Sequence, residues 1–186
     1  GKSSVADFAR QLWTHLGLKA ASLGTLGLVA PGRTQPGKLT TPDAADLHAT
    51  LAALANDGVD HAAIEASSHG LDQFRLDGVR ISVAAFTNIS RDHLDYHGTM
   101  DAYRDAKARL LNELLQDGGT AVLNADDPYS KRLLGGRDVQ TLTYGKAGKD
   151  IRLLDCQPHS QGQRIKLNLM SKDAEIDFPL IGDFQV

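Results

Sequence analysis

Short apolar runs that end in polar clusters and give way to helical patterns recur from the start of the chain to about Gly145, and this alternation constrains the fold more than any other feature. Residues 20–25, 61–66, 81–86, 120–124 and 139–145 each read as a short buried strand. Between them, apolar residues fall at helical spacing. Residues 3–16 carry Val5, Phe8, Ala9, Leu12 and Leu16 on one stripe. A second helix has Thr41 as N-cap, Pro42 at its first position and Asp43 in its first turn. It points Leu47, Leu51 and Leu54 inward and stops at Asp57-Gly58. A third helix follows the N-cap Thr99, and a short one ends near Leu134. Glycines and prolines from Gly24 to Gly37 mark a loop. Strands that alternate with helices imply an α/β fold with a mostly parallel sheet and right-handed crossovers. In such sheets ligands gather at the carboxyl ends of the strands. After Asp150 the period changes to two: Ile165, Leu167 and Leu169, then a turn at 171–173, then Ile176, Phe178 and Leu180. That is a hairpin of a small antiparallel sheet, so residues 1–149 read as an α/β core and 150–186 as an antiparallel subregion.

The strand tips carry the chemistry. Glu65 closes one strand and is followed by Ser67, Ser68 and His69. Asn124, Asp126 and Asp127 close another. The strand 81–86 runs into a loop with two aspartates and two histidines, Asp92, His93, Asp95 and His97, a candidate metal or phosphate site. In the helix after it, Lys107 falls on the apolar stripe of Tyr103, Ala106, Leu110, Leu111 and Leu114. A buried ammonium needs an anionic partner or a chemical modification, unless the side chain snorkels to the rim. Ser68-His69 is no nucleophile–base pair, because the G-x-S-x-G elbow is absent and adjacent residues rarely pair so. Gly1-Lys2-Ser3-Ser4, opening a helix, matches the second half of a P-loop; Lys2 would reach outer phosphates and the Ser3 hydroxyl would hold Mg2+. The chain therefore reads as beginning inside that motif.

Composition excludes several classes. The 186 residues suffice for one domain with its own core. With 20 Lys and Arg against 23 Asp and Glu, the net charge of -3 gives no electrostatic footprint for nucleic acid. The single cysteine, Cys156, forbids an intrachain disulfide and fits a reducing compartment. No apolar run approaches the ~20 residues of a membrane span. A cytoplasmic protein is expected, with no membrane partner.

Four strings taken together closely resemble the central, ATP-binding domain of the Mur ligases. They are Gly1-Lys2-Ser3-Ser4; Glu65-Ala66-Ser67-Ser68-His69-Gly70-Leu71; Phe86-Thr87-Asn88-Ile89-Ser90-Arg91-Asp92-His93-Leu94-Asp95-Tyr96-His97; and Leu123-Asn124-Ala125-Asp126-Asp127. Thr40-Thr41-Pro42 and Asp105-Ala106-Lys107 point to the branch that adds a diamino acid to the growing peptide. The resemblance spans nearly the whole chain. It implies that Gly1, Lys2, Ser3 and Ser4 bind the phosphates of ATP, with Asn124 and Asp127 at adenine and ribose. It implies Mg2+ at Ser3 and Glu65, a second Mg2+ at His93, and a carbamylated Lys107 beside the metal. Lys2, His93 and Lys107 would carry catalysis. Thr40, Thr41, Ser67, Gln73 and Arg75 would bind UDP-MurNAc-L-Ala-D-Glu. The implied reaction activates the D-glutamyl carboxylate as an acyl phosphate, which the amine of the diamino acid attacks. Three departures stand out: the first half of the P-loop is absent, Ser3-Ser4 replaces the commoner threonines, and Gly182-Asp183-Phe184-Gln185 replaces Gly-x-Phe-Asn. The family's UDP-binding and amino-acid-binding domains have no counterpart here, so an isolated chain of this extent is expected to be inactive. The alternatives are a catalytically silent nucleotide-binding piece and a sister ligase such as folylpolyglutamate synthetase, against which residues 67–75 and Thr40-Thr41 argue.

Overall fold

A computed structural model describes residues 1–180 and Gly182, so the departure at 183–185 lies outside the described residues. The chain divides into two compact units, one of Gly1–Arg80 with His93–Leu110, the other of Ile81–Asp92 with Leu111–Val186. Each is built on its own sheet.

In the first unit, helix α1 (Lys2–His15) leads into β1 (Ala20–Gly24), and β4 (His61–Ile64) lies parallel beside β1, with Ala20 opposite His61 and Leu23 opposite Ile64. All five residues of β1 are buried, as its run of small and apolar residues requires. Helix α1 packs on β1 and β4. Residues 27–37, expected as a loop, instead form β2 (Gly27–Ala30) and β3 (Arg33–Gln35), which extend the sheet to the order β3-β2-β1-β4. The glycines there serve a tight hairpin rather than irregular chain. Gly24 pairs with Gly27 across the two-residue turn Thr25-Leu26, and Gly27 takes φ +87°.

Helix α2 (Ala44–Asn56) begins two residues later than expected. Asp43, not Thr41, is its N-cap: the Asp46 N–H donates to Asp43 Oδ1 at 3.0 Å. Pro42 biases the residue before it away from helical geometry, which leaves Thr41 outside the helix. Thr41 is fully buried, and its hydroxyl donates to the Glu65 carbonyl at 2.8 Å and accepts from the Ser67 N–H at 2.9 Å. Two short helices inside sequence-read loops complete the unit, α3 (Ser68–Asp72), capped by the Ser67 hydroxyl, and α4 (Leu94–His97). Helix α5 (Met100–Arg109) has the expected Thr99 cap, its hydroxyl accepting from the Ala102 N–H at 3.1 Å.

The second unit is a six-stranded sheet. It holds β5 (Ile81–Phe86), β6 (Leu115–Asn124), β7 (Gln140–Gly145), β8 (Ile151–His159), β9 (Gly162–Leu169) and β10 (Lys172–Phe178), in the order β10-β9-β8-β7-β6-β5. Strands β5 to β8 are parallel and β8 to β10 antiparallel, so the C-terminal hairpin gains a third strand and continues the parallel sheet. The α/β reading with a mostly parallel sheet and an antiparallel C-terminal part holds, with its strands shared between two sheets. A π-helical turn, Leu110–Leu114, precedes β6. Among the described residues no helix is long and apolar enough to cross a membrane.

Asp43→Ala should lose about 1 kcal/mol of stability, as other N-cap removals do. Thr41→Val should cost about 1–3 kcal/mol, because it strands the buried Glu65 carbonyl and leaves the Ser67 N–H without its acceptor. Denaturant midpoints check both; equal and negligible losses would show that neither residue has the role its hydrogen bonds describe.

Candidate active site

Strands β1 and β4 run parallel, so their carboxyl ends lie side by side and deliver Thr25 and Glu65 to one place. The start of α1 brings Ser3 there as well. Glu65 is 5% exposed, yet its carboxylate is well served. The Ser3 hydroxyl lies 3.1 and 3.0 Å from Oε1 and Oε2. The Thr25 N–H and hydroxyl both donate to Oε2, at 2.9 and 3.0 Å. The neighbouring backbone leaves no room to spare: a Cβ on Gly24 would sit 2.6 Å from Glu65 Oε2, so only glycine fits.

A cavity of about 330 Å³ opens beside this carboxylate. Lys2, Glu65, His93 and Lys107 line it, as do Thr40, Ser67 and Arg75. The unit thus gathers residues from well-separated stretches of sequence into the wall of one cavity. Thr41 stands behind that wall, bonded to Glu65 and Ser67 as described. Gln73 is exposed, and its Oε1 accepts from the Arg75 guanidinium, including Nε at 3.0 Å. Arg75 Nη1 also donates to the Thr41 carbonyl at 2.8 Å, which fixes the guanidinium against the loop that carries Thr40. Gly1 is the N-cap of α1 and Ser4 lies in its first turn; neither lines the cavity.

Lys107 is 5% exposed, so it does not snorkel to solvent. Its Nζ lies 5.2 Å from the centroid of the Tyr103 ring. The packing of His93 and His97 with His69 and Tyr103 beside it is a further feature that the linear pattern did not mark. His69 stacks edge-on with His93 at 5.0 Å between centroids and lies 5.6 Å from His97, which is in turn 5.3 Å from Tyr103. Burial pushes the His97 imidazole below its ordinary pKa; Asp72 opposes this, while His69, His93 and Lys107 add to it. His97 Nε2 is buried with no hydrogen-bond partner among the described residues. The backbone of His93 is left-handed, at φ 52°, and its carbonyl accepts from the N–H groups of Tyr96 and His97. The only sequence signal for this cluster was the density of histidine and tyrosine in 93–103. Thr25 was also missed as a site residue; its signal was a hydroxyl at a strand's carboxyl tip.

The donor set suits a hard cation. Hydroxyl and carboxylate oxygens meet at Ser3 and Glu65, and Mg2+ favours oxygen while relying on few protein ligands plus substrate phosphates. Among the described residues no group of three or more His, Cys, Asp or Glu is placed to hold a metal ion.

In the second unit, Asn124 and Asp127 are bound up with the chain itself. Asn124 Nδ2 donates to the Thr87 carbonyl at 2.8 Å, and its Oδ1 accepts from the Asp126 N–H at 2.9 Å. Asp127 accepts from the N–H groups of Ile89 at 2.6 Å and Tyr129 at 2.8 Å. The Tyr144 hydroxyl donates to the carbonyls of Phe86 and Thr87. Burial, then the charges of Asp127 and Asp126, raise its pKa. These residues fix the strand-tip loops of their own unit.

Comparison with known proteins agrees with this geometry. The chain is 49% identical over 189 residues to UDP-N-acetylmuramoyl-L-alanyl-D-glutamate--2,6-diaminopimelate ligase of Agrobacterium fabrum, with 100% of this chain and 39% of that protein covered. The enzyme of the same name from Rhizobium meliloti is 50% identical over 191 residues, again with 100% and 39% covered. The chain therefore spans about two fifths of the length of these curated relatives. A solved structure of a ligase with that name superposes with a TM-score of 0.86 at 33% identity, covering 97% of this chain and 38% of that one. MurF from Acinetobacter baumannii shares the fold, at TM-score 0.75 and 18% identity, with 100% and 38% covered. The family model of the Mur ligase middle domain matches residues 1–186 throughout, and the chain belongs to that family.

Proposed function

We propose that this domain is the ATP-binding centre of a cytoplasmic ligase that joins 2,6-diaminopimelate to UDP-MurNAc-L-Ala-D-Glu during synthesis of peptidoglycan precursors. The observation that carries the reading is the shared cavity: Lys2, Glu65, His93 and Lys107, far apart in sequence, line one space. The names of the relatives supply the two substrates, and the remaining domains of the intact protein would supply the rest of their binding surface.

The chemistry follows from these groups. The D-glutamyl carboxylate attacks the γ-phosphorus of ATP, the bond to the bridging oxygen breaks, and ADP leaves. The amine of the diamino acid then attacks the acyl phosphate, phosphate departs, and the amine loses a proton. Phosphoryl transfer asks a protein mainly for positioning and charge neutralisation. Lys2, beside the first turn of α1, would meet the outer phosphates together with that helix's N–H groups. Ser3 and Glu65 would hold one Mg2+ and His93 a second; bound there, Mg2+ neutralises developing charge on the phosphates. Arg75, held by the Thr41 carbonyl and Gln73, would present a fixed fork to a carboxylate or phosphate of the muramyl peptide, with Thr40 and Ser67 alongside. Lys107 would carry a carbamate, formed by its neutral amine and CO2 with loss of a proton. That exchanges a buried cation for an anion among imidazoles and metal. Asn124 and Asp127 would border the adenine and ribose side. Folylpolyglutamate synthetases share the fold at 18% identity, which says nothing of substrate.

In the intact protein, Lys107→Ala should lower the ligation rate at least about a hundredfold, the scale of removing one transition-state electrostatic contact. Acetate or bicarbonate should restore part of it. Phosphate release measured with and without the additive is the check; a variant of wild-type rate would overturn the carbamate. Arg75→Ala should raise KM for the muramyl dipeptide about tenfold or more, the loss of a charge-assisted hydrogen bond, with a smaller change in kcat. A change confined to KM for ATP would place Arg75 on the wrong substrate.

A further inference from the structure

We propose that Thr25 is a positioning residue for the cation site: it selects which oxygen of Glu65 faces the metal and ties that carboxylate to the substrate-side Thr40. The inference rests on Ser3 and Glu65 being cation ligands, as proposed above.

Thr25 occupies the first position of the two-residue turn that joins β1 to β2, so its backbone is held by the pairing of Gly24 with Gly27. From there it directs two donors at a single atom. Its N–H is 2.9 Å and its hydroxyl 3.0 Å from Glu65 Oε2. The Ser3 hydroxyl is shared between the two oxygens, 3.1 Å from Oε1 and 3.0 Å from Oε2. The two oxygens are still unequal: Oε2 takes both Thr25 donors besides the Ser3 hydroxyl, while Oε1 has Ser3 alone and so keeps more of its lone-pair capacity for a cation. The terminal torsion of a glutamate is broad and twofold, so nothing intrinsic to Glu65 sets this choice.

Proton counting gives the chain a direction. A carboxylate only accepts, and a threonine hydroxyl has one proton. The Thr25 hydroxyl spends that proton on Oε2. Thr25 Oγ1 is also 3.0 Å from Thr40 Oγ1, so Thr40 must be the donor in that pair. The order is Thr40 to Thr25 to Glu65, three groups on the same cavity. A substrate atom that takes the Thr40 proton would weaken the donation to Thr25 and so change the basicity of Oε2. The Thr25 side chain is itself exposed, so its hydroxyl is not there to satisfy a buried polar atom of its own.

The test uses the intact protein with Mn2+ as a spectroscopic substitute for Mg2+, free Mn2+ being read by electron paramagnetic resonance. Thr25→Val keeps the shape and removes the hydroxyl; Thr25→Ser restores it; Thr25→Ala repeats the removal without the branched side chain. Val and Ala should weaken Mn2+ binding about tenfold, the lower end of what losing a group that orients a metal ligand costs. Ser should stay within about twofold of wild type. Thr40→Val should weaken binding less, and Thr25→Val with Thr40→Val no more than Thr25→Val alone, because one chain is broken once. In ligation assays the Val variant should need more Mg2+ for half-maximal rate while keeping most of kcat at saturation. Wild-type Mn2+ affinity in both Val and Ala, where Glu65→Gln loses binding, would overturn the role of Thr25 and leave the cation site standing. So would a Ser variant as weak as Val. Unchanged affinity in Glu65→Gln would overturn the cation site itself, and this inference with it.

Discussion

The buried carboxylate of Glu65 is the constraint on which the first unit depends. A carboxylate 5% exposed has given up most of its hydration and must find replacement donors. It finds them in two places that the chain could otherwise leave apart, the first turn of α1 through Ser3 and the end of β1 through Thr25, while the Thr41 hydroxyl ties the loop before α2 to the backbone carbonyl of Glu65. Its own N–H donates to the Leu23 carbonyl at 2.8 Å, which extends the parallel pairing of β1 with β4 by one more bond. One residue thus holds a helix start, two strand tips and a loop in register. Those are the elements that bring Lys2, Thr40 and Ser67 to the cavity. The glycine at position 24 is the steric condition for all of it, since any side chain there would collide with the Glu65 carboxylate.

Lys107 poses the complementary problem. Helical spacing puts it on the buried side of α5 between Tyr103 and Leu111, where a strongly hydrated ammonium is out of place. The imidazoles of His69, His93 and His97 lie around the same helix and α4, and burial first, with the nearby His69, His93 and Lys107 adding to it, lowers the His97 pKa. A cluster of this kind is made comfortable by negative charge. A carbamate on Lys107 would supply it from the protein's side, and phosphate oxygens would supply it from the ligand's side. Either anion would answer the same burial, and because the two are alike in charge they would need a cation between them to be held together.

What the sequence revealed about this fold follows its periodicities. Strands at 81–86 and 139–145 and the stripe of α5 were plain because a buried run or a 3.6-residue repeat needs no partner to be recognised. The hairpin β2–β3 was hidden because its glycines serve equally well in an irregular loop, and only pairing with β1 distinguishes the two. The cap of α2 was misplaced because Thr41, Pro42 and Asp43 all suit a helix start. The deciding facts were the demand of the buried Glu65 carbonyl and of the Ser67 N–H for the Thr41 hydroxyl and the steric effect of Pro42 on its neighbour. At the site, Glu65, His93 and Lys107 were legible from their strings. Thr25 was not, since its role comes from the parallel pairing that sets two strand tips side by side.

The two units show why an acid at a strand tip is not a ligand by that fact alone. Asp126 sits at the end of β6 as Glu65 sits at the end of β4, and both are satisfied by hydrogen bonds. The Asp126 oxygens accept from the backbone N–H groups of Lys146 and Ala147 at 2.7 and 2.8 Å, and Asp127 likewise accepts from backbone. A backbone N–H donates in a fixed direction and has no lone pair to offer a cation, so these bonds serve to hold a loop. Glu65 draws two of its donors from the hydroxyls of Ser3 and Thr25. A hydroxyl can rotate its proton away and turn oxygen toward a metal. The chemical identity of the donors, as much as burial or position on the sheet, is thus what distinguishes the carboxylate of Glu65 from those of Asp126 and Asp127.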